Sequence, residues 1–239
     1  MRMYTKAGRS RWPYVIGAAV VVVAVAGGIV YSSTQPGGEP TAAASSEPTP
    51  TASAPSGGGS SGAGDSDEDL APTGCLGGQE RTADMVFAAQ DSAKHTSYGA
   101  VEMAASVYRW LWQSPHPVEA EANAVSGEIM AKSANESFKD LAASYSATPD
   151  MTGGQVAEDT PYHLSTTNGL WSITEGSTGD QVEVNLAAGY VINGELSSSK
   201  SAVISMTMVW EADSWHLLSG GTPDQDKLAA GGNRFTGGC

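Results

Sequence analysis

The chain is poor in basic residues and in cysteine. It has 12 Lys and Arg against 26 Asp and Glu, which gives a formal net charge of -14 at pH 7. Like charge repels the phosphate backbone, so this balance argues against nucleic acid as a partner. The two cysteines, Cys75 and Cys239, are not arranged as C-x-x-C, which argues against a dithiol redox enzyme.

Recognisable catalytic and metal-binding motifs are also missing. The four histidines (His95, His116, His163 and His216) show neither H-E-x-x-H nor another paired ligand spacing. Glycine-rich matches to nucleotide and hydrolase motifs fall at residues 57–62, where no strand precedes them and no helix follows. We therefore predict no catalytic residue, no cofactor and no metal, and we expect a protein that is not an enzyme.

One long apolar run lies near the N-terminus. Residues 12–31 contain no charge, four basic residues precede them, and aromatic residues stand at both ends. Twenty residues form about 30 Å of helix, which matches the hydrocarbon core of a bilayer. The pattern predicts a single-pass membrane helix, with residues 1–11 in the cytoplasm and the C-terminal part outside the cell. The alternative is a signal peptide cut after Ala26, which would release a secreted protein.

The apolar run is followed by a low-complexity segment. Residues 32–72 are rich in Pro, Ser, Thr, Ala and Gly and contain no aromatic residue, Lys or Arg. Such a composition buries too little apolar surface to offset its ordering entropy, so we predict a disordered linker. The remaining residues, 73–239, have the length of one exoplasmic domain.

Cys75 and Cys239 bracket this domain, one at the end of the linker and one at the last position. Disulfides persist outside the cytoplasm, and domain termini are often close together. We therefore expect an intramolecular bond between them. Two free thiols or an intermolecular bridge are the alternatives.

The domain pattern places helices before strands. Apolar residues at i, i+3, i+4 and i+7 predict a helix over Ala100–Trp112, capped by Thr96 or Ser97. A second helix is expected over Pro117–Ala131, and a third after a capping box at Ser133-x-x-Glu136. Alternating apolar residues then predict strands over residues 171–174, 182–192, 202–210 and 215–218, with turns at 175–180 and 193–194. This order indicates an α+β fold, in which helices pack on one face of a curved antiparallel sheet.

The order of elements resembles the cone-shaped nuclear-transport-factor-like fold. The segment AVISMTMVWEADSWHLLSGG at 202–221 is similar to the last hairpin of such domains, where a strand ends in Trp before an acidic turn and a second Trp. The segment HTSYGAVEMAA at 95–105 resembles part of actinobacterial membrane proteins encoded near mobile elements. With the predicted anchor and linker, the chain is similar to exoplasmic domains of Gram-positive conjugation and secretion scaffolds.

The resemblance implies a non-enzymatic interaction domain held at the cell membrane. Its expected partners are other envelope proteins, including conjugation or secretion components, or a second copy of the chain. A module of the same fold that binds a lipid or cell-wall fragment is the alternative. Residues that could line a pocket or an interaction surface are His95, Tyr108, Trp112, Trp171 and Trp210. Isomerases of this fold use a carboxylate base inside the cone, but none of Tyr98, Asp140, Tyr145 and His163 matches a catalytic position.

Overall fold

The computed structural model describes residues 70–239, so the predicted tail, the predicted membrane helix and most of the predicted linker lie outside the described residues. Residues 70–239 form helices packed on one curled antiparallel sheet, which confirms the predicted α+β class. In this part of the chain, no helix is both long and apolar enough to cross a bilayer.

The helices come mainly before the strands. The first half contains α1 (Ala83–Ser92), α2 (Ser97–Leu111), the short strand β1 (Gln113–Ser114), α3 (Glu119–Glu128), α4 (Glu136–Lys139) and α5 (Leu141–Ala147). The second half contains β2 (Tyr162–Ile173), β3 (Gln181–Ile192), β4 (Glu195–Glu211), β5 (Ser214–Gly221), α6 (Gln225–Gly231) and β6 (Asn233–Arg234). Helix α2 is the central helix, because 12 of its 15 residues are buried.

The sheet runs in the order β1-β2-β3-β4-β5, and all of these neighbours are antiparallel. Part of each outer edge is covered. On β2, β1 pairs with the start of the strand and β6 pairs with its later part. On β5, the amide of Leu217 donates to the Ile129 carbonyl at 2.9 Å, and the Leu217 carbonyl accepts from the amide of Ala131 at 2.9 Å. Covered edges leave few free main-chain groups for unwanted strand pairing.

The predicted central strands are present, but the first one is longer than expected. β2 begins at Tyr162 and not at Trp171. The pairing of β2 with β3 shifts between Ser165 and Leu170, and this bulge hides the alternation that marks a strand. The Asn193-Gly194 turn is confirmed. Both residues have positive φ, 52° and 85°, as a two-residue hairpin turn of this kind requires.

Several helices begin or end at residues other than the predicted ones. Thr96, and not Ser97, caps α2, because its hydroxyl accepts from the amide of Gly99 at 3.1 Å. The second helix begins at Glu119 and not at Pro117, since Val118 is still extended. The capping box at Ser133-x-x-Glu136 was wrong. The predicted third helix is instead two short helices, and Asp140 separates them by accepting from the amide of Ala143 at 2.9 Å.

Candidate functional site

Three aromatic side chains meet at one end of the sheet. The ring of His95 stacks on Trp210, with centroids 4.1 Å apart and planes 7° from parallel. Trp215 meets the edge of Trp210 at 5.4 Å. The carboxylate of Asp180 lies beside them, with Oδ1 at 2.8 Å from Nε2 of His95. We call His95, Asp180, Trp210 and Trp215 the aromatic shelf.

The loop that carries His95 is fixed by main-chain contacts. The carbonyl of Lys94 accepts from Nε1 of Trp215 at 2.8 Å and from the amide of Thr96 at 2.8 Å. A Cβ atom on Gly99 would lie 2.0 Å from the same carbonyl oxygen, so this position has no room for a side chain. The loop therefore holds its position through Trp215, Thr96 and Gly99, and not through the His95 ring.

The shelf is open to solvent on the side of His95 and Asp180. Their side chains are 44% and 76% exposed, whereas Trp215 is fully buried and anchors the cluster to the core. The amide of Trp210 donates to the carbonyl of Asp180 at 2.8 Å, which fixes the carboxylate next to the indole. A flat aromatic face beside a carboxylate is suited to cationic and planar groups.

A second aromatic group lies inside the domain, near the other end of α2. Tyr108 contacts Trp112 edge to face at 5.6 Å, and Tyr162 contacts Tyr190 in the same way at 5.7 Å. The hydroxyl of Tyr108 is buried with no hydrogen-bond partner, whereas the Trp112 side chain interacts with that of Tyr190. Burial raises the pKa of Tyr108, and it raises the pKa of Tyr190 to about 12. We call these four residues the inner aromatic cluster.

The other predicted site residues do not join either group. Trp171 is buried against Tyr98, with ring centroids 5.4 Å apart. Tyr145 is also buried, and its hydroxyl donates to the carbonyl of Leu111 at 3.1 Å. Asp140 serves as a helix cap. Of the five pocket candidates, His95 and Trp210 meet on the shelf, Tyr108 and Trp112 meet inside, and Trp171 packs separately.

Sequence reasoning missed a polar stripe on α2. Glu102, Ser106 and Arg109 follow a spacing of four and three residues, and all three contact residues 73–80. The Glu102 carboxylate accepts from the amides of Thr73 and Gly74 and from the Thr73 hydroxyl. The sequence signal was present, because three polar residues share one face of an otherwise apolar helix.

The rest of the stripe binds carbonyl groups. The Ser106 hydroxyl donates to the carbonyl of Leu76 at 2.8 Å. The fully buried Arg109 donates to the carbonyls of Gly78 at 2.9 Å and Glu80 at 3.4 Å. The side chains of helix α2 therefore bind main-chain groups at the start of the domain and hold this segment in place.

The disulfide between Cys75 and Cys239 is present, with Cα atoms 5.5 Å apart, as predicted. The amide of Cys239 donates to the Thr166 hydroxyl, and the amide of Thr166 donates to the Cys239 carbonyl, both at 3.0 Å. Nearby, the amide of Thr236 donates to the carbonyl of Pro72 at 2.9 Å. Both ends of the domain are thus bound beside β2. We call the disulfide and the stripe Glu102, Ser106 and Arg109 the entry clamp.

His163 lies on β2 near this clamp. Burial, together with the positive charges of Arg81 and Arg109, lowers the pKa of His163 to about 4. Arg81 donates to the carbonyl of Leu164 at 3.1 Å, so its guanidinium also binds the main chain. His163 is therefore uncharged at neutral pH. It lies where β1 pairs with the edge of β2.

No protein family, curated protein or solved structure matches this chain. Within residues 70–239, no group of three or more His, Cys, Asp and Glu side chains is arranged to hold a metal ion.

Proposed function

We propose that the protein is a non-enzymatic interaction domain, anchored in the cell membrane through residues 12–31, that contacts other envelope proteins through its aromatic shelf. The observation that carries this proposal is the half-exposed stack of His95 on Trp210 beside Asp180. Aromatic side chains that combine a flat apolar face with nearby polar groups are enriched at protein interfaces.

The surface composition supports the shelf as the contact region. Among residues 70–239, the exposed large apolar side chains are Leu70, Val118 and Leu196, which do not belong to one segment. The same residues contain 20 Asp and Glu against eight Lys and Arg. A basic partner surface would therefore be attracted by the whole domain, and the shelf would supply the close contact.

The position of the entry clamp also supports the shelf as the contact region. Its contacts join residues 73–80 and Cys239 to α2 and β2, and none of them uses a shelf residue. A linker that enters at the clamp would leave the shelf free to meet a partner. With the resemblance to conjugation and secretion scaffolds, we propose components of such an apparatus as partners.

The test compares partners recovered from membranes. The tagged full chain is cross-linked in its own membranes and purified beside Trp210→Ala. The control is Leu196→Ala, which removes an exposed apolar side chain at the other end of β4. We expect the wild type and the control to recover the same envelope proteins and Trp210→Ala to lose them. Equal recovery by all three chains, or no envelope protein with any, would contradict the proposal.

A second candidate function is binding of a small ligand, such as a lipid chain with a polar end, at the inner aromatic cluster. It is favoured by the Tyr108 hydroxyl, since buried polar atoms without partners are rare in native proteins. Burial favours the first function, because all four residues of the inner aromatic cluster are themselves buried.

Two hydroxyl deletions test this second candidate. Tyr145→Phe removes a hydroxyl that has a partner, so it should lower the free energy of unfolding by about 1 kcal/mol. Tyr108→Phe removes an unpartnered one and should leave stability unchanged or raise it. Oleate is then titrated while tryptophan fluorescence is followed. A response in the wild type that weakens in Tyr108→Phe supports ligand binding, and no response in the wild type rules out fatty acid as the ligand.

A further inference from the structure

We infer that Trp210 and Asp180 form a binding slot for an arginine side chain of a partner protein, and that His95 occupies this slot in the free domain. The inference rests on the proposed function, because it names the chemistry that the shelf would recognise.

The position of His95 is the first argument. Its ring is flat, lies parallel to the indole of Trp210 at 4.1 Å, and directs a nitrogen to the carboxylate of Asp180 at 2.8 Å. A guanidinium is also flat, stacks on aromatic faces and pairs with a carboxylate through two N–H groups. His95 thus makes, within the chain, the two contacts that an arginine would make from outside.

The second argument is that His95 could leave without disturbing the fold. The contacts that fix its loop belong to the main chain of Lys94 and Thr96 and to Gly99. The His95 side chain is 44% exposed, and it contacts the shelf residues by one ring face on Trp210, one nitrogen at Asp180 and an edge contact with Trp215 at 5.8 Å. Rotation about its side-chain bonds would uncover Trp210 while the loop stays in place.

Charge supplies the third argument. Asp180 is 76% exposed, and Asp213 lies in the turn that follows Trp210, whereas the Glu211 carboxylate accepts from the amide of Lys132 at 2.9 Å. The described residues carry an excess of acidic side chains, so a cationic side chain is attracted and an acidic one is repelled. Lysine fits less well than arginine, because a compact ammonium cannot stack as a plane and pair with Asp180 at once.

The experiment uses the full chain in lipid nanodiscs with 5-fluorotryptophan, so that the fluorine signal of Trp210 can be followed. Wild type and His95→Ala are titrated with acetyl-arginine amide and, as a matched control, acetyl-lysine amide. If His95 fills the slot in nine molecules of ten, its removal should tighten arginine binding roughly tenfold. The double variant His95→Ala/Asp180→Asn should lose the preference for arginine over lysine.

Two results would overturn the inference: an unchanged Trp210 signal in His95→Ala at every arginine concentration, or an equal response to arginine and lysine. His95→Gln is the second variant, since it removes the ring but keeps a polar side chain, and it should also bind arginine more tightly than the wild type. Failure here differs from failure of the proposed function. If recovery of partners still depends on Trp210, the shelf is an interface without an arginine slot.

Discussion

His95 and His163 lie in opposite electrostatic surroundings, and the two regions around them differ in the same way. His95 is half exposed on the aromatic shelf and faces the carboxylate of Asp180. His163 lies at the closed edge of the sheet, where burial and the charges of Arg81 and Arg109 keep it neutral by lowering its pKa to about 4. An acidic chain with few basic residues thus places two arginines against its own main chain.

Under the proposed function, this difference separates a region that binds partners from a region that holds the fold together. At the entry clamp, the two terminal nitrogens of Arg109 donate to carbonyls of residues 74–80, so these groups are used within the fold. At the shelf, the carboxylate of Asp180 and the face of the His95 ring remain within reach of solvent. Changes at the clamp should therefore affect stability, and changes at the shelf should affect binding.

The largest effect is expected from the disulfide. Replacing Cys75 and Cys239 by Ser opens a loop with a sequence separation of 164 residues. In the chain-entropy model this lowers the free energy of unfolding by about 5 kcal/mol. Urea unfolding of the oxidised wild type and the double variant measures the difference. A reductant should destabilise the wild type and leave the double variant unchanged. A difference below about 1 kcal/mol between the two proteins would contradict the prediction, because the noncovalent contacts would then hold the two ends of the domain without the disulfide.

The next effect is expected from Arg109. Arg109→Met removes the hydrogen bonds of a buried charged donor to the carbonyls of Gly74, Gly78 and Glu80, which should cost roughly 3 kcal/mol. Arg234→Met is the matched control, because Arg234 is exposed on β6 and should change stability by less than about 0.5 kcal/mol. Partner recovery should persist in both variants. If Arg109→Met stays folded but no longer recovers the partners, the claim that the clamp affects only stability is contradicted.

A smaller loss of stability is expected at the shelf loop. Gly99→Ala places a methyl group against the carbonyl of Lys94 and should cost about 1–3 kcal/mol. The control is Gly127→Ala in α3, where nothing lies within 4 Å of the added Cβ. That change should stabilise the helix by about 0.5–1 kcal/mol. Because Gly99→Ala also displaces the loop of His95, it should reduce partner recovery, and an unchanged recovery would count against a preorganised shelf.

The two parts of the fold were not equally predictable from sequence. Strands β3, β4 and β5 alternate with a period of two, so their register follows from which residues must face the core. Helix α1 was missed because its buried positions include Ala83 and Ala89, whose small side chains give a weak apolar pattern. The pairing of Glu102 with residues 73 and 74 was not predictable either, since the carboxylate binds two main-chain amides and a threonine hydroxyl and no residue of opposite charge marks the partner.

The same contrast holds for the candidate site. Tyr108 and Trp112 are one helical turn apart, so their contact follows from the helix that was predicted. His95 and Trp210 were each singled out, but their stacking depends on how the loop before α2 meets the end of β4. That meeting is set by the bond from Trp215 to the carbonyl of Lys94, which no local pattern encodes.

The last effect is expected from acid. With a folded pKa of about 4 for His163 and an ordinary value near 6.5 in the unfolded chain, only the unfolded state gains a proton between these values. Stability should therefore be complete above about pH 6.5 and fall as the pH is lowered towards 4. His163→Asn should flatten this part of the profile in urea unfolding between pH 7 and 4. An unchanged slope would show that other groups cause the loss.

The central claim is that partners bind at the aromatic shelf, and position-resolved photo-cross-linking tests it most directly. Two hairpin turns with positive φ provide matched positions: Asp213, which lies in the turn after Trp210, and Asn193, which lies at the far end of the sheet. Benzoylphenylalanine replaces each residue in the full chain, and membranes are irradiated. We predict a cross-linked envelope protein from position 213 and none from position 193. Equal products from both positions, or a product from 193 alone, would contradict the account.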